Sequence, residues 1–146
     1  MNNEDGIINF YSENDFKLEN IDLYKNWLNR VISSEDKRLG EISYIFCDDE
    51  YLLDINQRFL DHDTYTDIIS FDDSMGNLLN GDIYISTERV KENAAEFNED
   101  FETELKRVIV HGILHYCGYK DKSEEDAALM RRKESEKIKL FHVEQS

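Results

Sequence analysis

Two rhythms of apolar residues alternate along the chain. Residues 7–11 (IINFY) are dense in β-branched and aromatic side chains and read as a strand. From about 18 to 33 the spacing becomes helical: Ile21, Tyr24, Leu28 and Val31 share a stripe, with Leu23 and Trp27 an i, i+4 pair beside it. Residues 42–47 predict a second strand, and Asp48-Asp49 can cap the helix that follows to about 60, carrying Leu52, Leu53, Ile55 and Phe59. A short β-rich run at 67–71 and an alternating run at 82–86 flank Gly76 and Asn77, which mark a turn. Residues 87–97 look helical, with Thr87 as N-cap and Val90, Ala94 and Phe97 facing inward.

The longest stripe begins after Asp100. Leu105, Val108, Ile109, Gly112, Ile113 and Tyr116 follow i, i+3, i+4, i+7, i+8, i+11, the signature of a helix with one face on a core. A last helix is expected over 123–140, with Ser123 at its N-cap and Asp126 in the capping-box position. Strands interleaved with helices, and a hairpin-like pair in the middle, predict an α+β fold: a small mixed β-sheet of about four strands packed with about five helices. At 146 residues, with no internal repeat and no low-complexity linker, residues 1–146 read as a single domain.

The candidate chemistry lies at the end of the long helix, in HGILHYCGYKD at 111–121. His111 and His115 are four apart, so their imidazoles project from one helix face and can share a metal ion. They fall on a stripe adjacent to the core stripe, which places them at a cleft edge on an anchored helix. Gly118 permits the helix to stop, because glycine accepts the left-handed C′ conformation. Asp121 is the first potential ligand after that turn. Two imidazoles and one carboxylate leave a fourth position for water, the donor set of a catalytic zinc. A zinc peptidase would need a glutamate directly after the first histidine; Gly112 stands there and disfavours that reaction. Cys117 lies about 200° around the helix from His115, which favours core packing over ligation.

Composition narrows the rest. Hydrophobic residues make up 40% of the chain and aromatic residues 12%, which indicates a globular protein and not a disordered one. Proline is absent, so turns rely on Gly, Asn and Asp. Two cysteines provide no disulfide framework and suggest a reducing, cytoplasmic setting. Neither a secretory signal nor a membrane span is expected. The net charge of −16 works against nonspecific nucleic-acid binding. Lys106, Arg107, Lys120 and Lys122 nevertheless surround the ligands in sequence, predicting that the cleft beside Asp121 is the least acidic surface. Arg131, Arg132 and Lys133, laced with Glu134 and Glu136, read as a solvated helix face. Thr66, Asp67 and Ser70 read as strand and turn chemistry, with Ile68, Ile69 and Phe71 in the core.

Three segments, spanning roughly 40–135, together resemble the YbeY family of bacterial rRNA-maturation endoribonucleases. HGILHYCGYKD looks like that family's H-G-x-L-H-x-x-G-Y-D-H. INQRFLDHDTYTDIISFDD looks like its L-N-x-x-Y-R-x-K-D-x-P-T-D-V-L-S-F. GDIYIS at 81–86 looks like its G-D-I-x-I-S strand. The resemblance implies a zincin-like metal helix and one Zn2+ per chain held by His111, His115 and Asp121. It implies an endoribonuclease in which metal-activated water attacks an RNA phosphodiester, acting in small-subunit rRNA 3′-end processing and ribosome quality control. The expected partners are ribosomal RNA, the small ribosomal subunit and ribosome-associated proteins. Two positions depart from the pattern. Asp121 stands where the family has its third histidine, with Lys120 at the family's aspartate, and Leu60 stands where the family has an arginine. Arg58 and His62, two residues to either side, are the candidates for the missing cation, with Lys120 third. The alternative reading is a ribosome assembly factor whose metal stabilises the fold and which cleaves little.

Overall fold

A computed structural model describes residues 6–141. The elements run β1 (Ile7–Ser12), α1 (Ile21–Ser34), β2 (Arg38–Cys47), α2 (Asp49–Leu60), β3 (Ile68–Asp72), β4 (Leu78–Ser86), α3 (Thr87–Glu96), α4 (Phe101–Tyr116) and α5 (Glu124–Ile138). The four strands form one sheet in the order β1-β2-β4-β3. β1 and β2 are parallel, as are β2 and β4, while β3 runs antiparallel to β4 on the edge. This is the small mixed sheet with five helices that the apolar pattern predicts.

Alternation along the strands sends side chains to two different cores. Ile42, Tyr44 and Phe46 of β2 and Leu79, Ile83 and Ile85 of β4 are fully buried in the large core, against α1 and α4. Cys47, Leu52, Ile55 and Ile69 form a smaller core beneath α2, closed by Phe71 and Tyr84. All six residues of the long sequence stripe are buried on α4. Gly112 explains how closely that helix approaches the sheet. A Cβ there would lie 2.9 Å from Ile83 Cδ1 and 3.3 Å from Ile68 Cδ1, so glycine lets α4 settle on β3 and β4. Tyr44 Oη donates to the Ile109 carbonyl at 2.7 Å, and Trp27 Nε1 donates to the Lys137 carbonyl at 2.7 Å. These two buried bonds pin α4 to the sheet and α5 to α1.

Several element boundaries differ from the pattern. α1 begins at Ile21 and not near 18, because Asn20 takes a left-handed conformation (φ 60°) that interrupts the helix. Ile21 is 39% exposed and drops off the buried stripe. β2 and β4 each begin about four residues before their apolar runs, at Arg38 and Leu78, because they pair with each other there, across an irregularity between Leu39 and Ile42. The N-cap of α3 is Ser86, whose Oγ accepts from the Arg89 amide at 3.1 Å. Thr87 is already helical, and its hydroxyl oxygen accepts from Asn14 Nδ2 at 2.9 Å.

Candidate metal centre

α4 carries both histidines to a cleft of about 460 Å³ between β3, α3, α4 and α5. The helix then ends in two bonds that define the turn. The Gly118 amide donates to the His115 carbonyl at 3.0 Å and the Tyr119 amide to the Leu114 carbonyl at 3.1 Å. This is a Schellman closure, and Gly118 (φ 108°) occupies its left-handed position. The turn has a second use. It brings the Tyr119 carbonyl to His115 Nδ1 at 2.9 Å. A carbonyl can only accept, so Nδ1 carries the proton and Nε2 keeps its lone pair.

His111 is fixed in the same sense by a different partner. Its Nδ1 lies 2.6 Å from Glu134 Oε2 on α5. Burial disfavours a charged His111, but the hydrogen-bonded Glu134 carboxylate, with Asp121 and Asp67 nearby, outweighs it and raises the proton affinity of the ring. Beyond the turn, Asp121 Oδ2 comes within 3.3 Å of His111 Nε2 and 3.5 Å of His115 Nε2. Zinc bonds of ~2.0–2.1 Å at tetrahedral angles separate neighbouring ligand atoms by about 3.3 Å. The two separations from Asp121 Oδ2 therefore already match one such ion, and all three donor atoms lie within 4.8 Å of one another. They form the one group of three or more potential ligands found among the described residues.

The remaining walls were only partly legible in the sequence. Thr66, Asp67, Ile68 and Ser70 line the cleft from β3 and the loop before it, Asn93 and Phe97 from α3 and its end, Glu104 and Arg107 from α4, and Arg131 and Glu134 from α5. The Asp67 main-chain carbonyl accepts from the Ser86 amide at 3.0 Å, a bond that does not involve its side chain. Its carboxylate also reaches Asn93 Nδ2 at 3.4 Å, and burial pushes its pKa up against the opposing His111 and Arg89 charges. Phe97 does not face inward. It lies one residue past the end of α3, 60% exposed, at the cleft. Glu134 is not part of a solvated face but is buried, at 6% exposure. The signal for it was present: Met130, Glu134 and Lys137 are spaced i, i+4, i+7, a helical stripe disguised by two charged members.

The expected convergence of basic residues does not occur. Lys106 turns away, with its Nζ 4.3 Å from the Phe141 ring centre, and neither Lys120 nor Lys122 lines the cleft. Four carboxylates (Asp67, Glu104, Asp121, Glu134) face two guanidiniums (Arg107, Arg131). The cleft is therefore acidic until a cation enters it. Arg58 does not line it; its side chain is 67% exposed on α2, paired with Asp54 at 3.3 Å. His62 occupies a neighbouring depression that shares Thr66, Ile68 and Ser70 with the metal cleft. Cys117 packs against the large core, outside the ligand group.

Comparison with known proteins gives one result. A family profile described as Endoribonuclease YbeY matches residues 7–142. The Endoribonuclease YbeY of Christiangramia forsetii is 66% identical over 142 residues, covering 97% of this chain and 99% of that one. That of Flavobacterium johnsoniae is 63% identical, covering 95% of this chain and all of the relative. Among solved structures, the Thermotoga maritima protein TM1509 superposes with a TM-score of 0.65 at 28% identity, covering 95% of this chain and 91% of that one.

Proposed function

The chain belongs to the YbeY family of endoribonucleases, and on that premise we propose that it is a metal-dependent endoribonuclease of ribosomal RNA maturation. The observation that supports this most is the convergence of His111 Nε2, His115 Nε2 and Asp121 Oδ2 in one cleft. These three side chains would hold one divalent ion, with zinc suited to the nitrogen-rich set. Such an ion, when bound, supplies Lewis-acid polarisation of a phosphoryl oxygen and activation of water.

The chain's own residues do the rest. Arg131, exposed and without an ion pair among the described residues, binds an RNA phosphate at the α5 end of the cleft. Arg107 offsets the charge of Glu134 and Glu104, which it faces at 3.3 and 3.8 Å. Thr66, Ser70 and Asn93 offer hydrogen bonds to sugar and phosphate oxygens along the wall. His62 takes the next stretch of the strand, since its depression shares that wall. Arg58 is a peripheral contact in this reading.

Ribosomal RNA in the small subunit is the proposed substrate, which places the protein in the cytoplasm. No described helix is long and apolar enough to cross a membrane. The test is cleavage of a small-subunit rRNA 3′-end fragment by nuclease-free protein. Cleavage lost with chelator, restored by zinc and absent in His115→Ala is the expected result. Two observations favour a second reading, an assembly factor with a structural metal: Leu60 stands at the family's arginine position, and the cleft holds more acids than bases. That reading predicts full zinc occupancy, a melting temperature lowered by chelator, and ribosome binding by the zinc-loaded protein with no cleavage.

A further inference from the structure

Glu134 is a buried charge that the proposed chemistry leaves without a task. It lies on α5 between Met130 and Lys137, on the side turned toward α4. Taking a carboxylate out of water costs several kcal/mol unless its oxygens are matched. Both are matched here: Oε2 by His111 Nδ1 at 2.6 Å and Oε1 by Arg107 Nη1 at 3.3 Å. With both oxygens engaged, Glu134 is not placed to take a proton from water or substrate. Nor is it needed merely to neutralise Arg107, because Glu104 already stands 3.8 Å from that guanidinium. What Glu134 adds is a direction for the imidazole.

We infer that Glu134 is a positioning residue of the metal centre, with Arg107 as its clamp. The inference rests on reading His111, His115 and Asp121 as a metal site. Glu134 holds His111 in the Nδ1–H form, turns the Nε2 lone pair toward the point shared with the other two ligands, and makes the ring a stronger donor. His115 has only the neutral Tyr119 carbonyl behind it. The two histidines are therefore unequal, and His111 is the ligand whose strength is set by a charge.

The experiment measures zinc dissociation constants by competition with a chromophoric chelator, alongside the melting temperature of each metal-free protein. Removing such a partner typically costs 10–100-fold in metal affinity. Glu134→Gln, which keeps the volume, should bind zinc about 10-fold more weakly, and Glu134→Ala up to about 100-fold more weakly. Glu136→Gln, exposed on the same helix, should match the wild type. A Glu134→Gln protein that melts lower but binds zinc within about twofold of wild type reduces Glu134 to a packing residue and overturns the inference. A check that needs no variant is nitrogen–proton correlation NMR of the zinc-loaded wild type. A proton on His111 Nδ1 is expected, and one on Nε2 overturns the inference. A wild type that takes up no zinc overturns the metal reading as well, whereas equal binding by wild type and Glu134→Gln overturns only the role given to Glu134.

Discussion

Asp121 decides whether the centre has three protein ligands or two. It is also the least buried of the three, at 41% side-chain exposure. Asp121→Ala should leave an ion held by two imidazoles and extra water, and zinc retained after dialysis should fall sharply. Asp121→His should retain it, since imidazole suits zinc equally. Lys122→Ala should change nothing, because an ammonium has no lone pair to donate. Equal zinc in wild type and Asp121→Ala would remove Asp121 from the site. His111, His115 and Asp121 were legible because helix geometry and one glycine turn fix their relation locally. Glu134 was not, because its partner lies on another helix and its neighbours in sequence are charged. A second residue-scale prediction concerns Glu35, which accepts from Lys137 Nζ at 2.8 Å and Tyr119 Oη at 2.9 Å. Burial pushes its carboxyl up, but the Lys137 and Tyr119 hydrogen bonds and the two lysine charges prevail and hold it below the usual glutamate range. A depressed folded pKa means stability that is present above the unfolded value, ~4.3, and lost as pH falls through the folded one. Glu35→Gln should therefore cost about 2 kcal/mol at neutral pH. In urea unfolding the gap to wild type should close as pH falls below that unfolded value; a gap independent of pH would refute the assignment.

At the scale of elements, α4 was readable because a sixteen-residue helix repeats its stripe several times. The N-terminal parts of β2 and β4 were not, because their extension comes from pairing with each other and not from apolar alternation. α4 also carries the sharpest packing constraint. Gly112→Ala places a methyl 2.9 Å from Ile83 Cδ1, and such overpacking costs about 1–3 kcal/mol. Either Ile83 Cδ1 shifts or α4 lifts to relieve the contact; zinc affinity that falls along with thermal stability would show that the helix has moved, and unchanged affinity that the isoleucine has. The start of α5 offers the complementary test. Ser123 Oγ accepts from the Asp126 amide at 3.0 Å, and Ser123→Ala should cost about 1 kcal/mol in chemical denaturation without altering the ligands themselves.

Over the whole molecule, a net charge of −16 sets the terms on which RNA can approach. With Arg107 tied to Glu134 and Glu104, Arg131 is the one cleft guanidinium left to meet a phosphate, so single-stranded RNA binding should fall with salt at a logarithmic slope of about −0.7. A much steeper slope would reveal basic contacts outside the cleft. The fold class was readable in the sequence, since it depends on periodicity alone. The acidity of the cleft was not, because nearness in sequence to Lys106, Lys120 and Lys122 says nothing of where their ammonium groups end. Zinc in hundredfold excess over its dissociation constant should stabilise the fold by up to about 2.7 kcal/mol. The ceiling will not be reached, for a reason that lies in the Schellman turn. All three ligands fall within residues 111–121, so they stay near one another even when sheet and helices have come apart. The denatured chain keeps a weakened grip on the ion, and metal bound to the unfolded state subtracts from the protection it gives the folded one. Heat alone should thus release zinc less completely than a chelator does, and on cooling the eleven-residue segment begins with its ion already in hand.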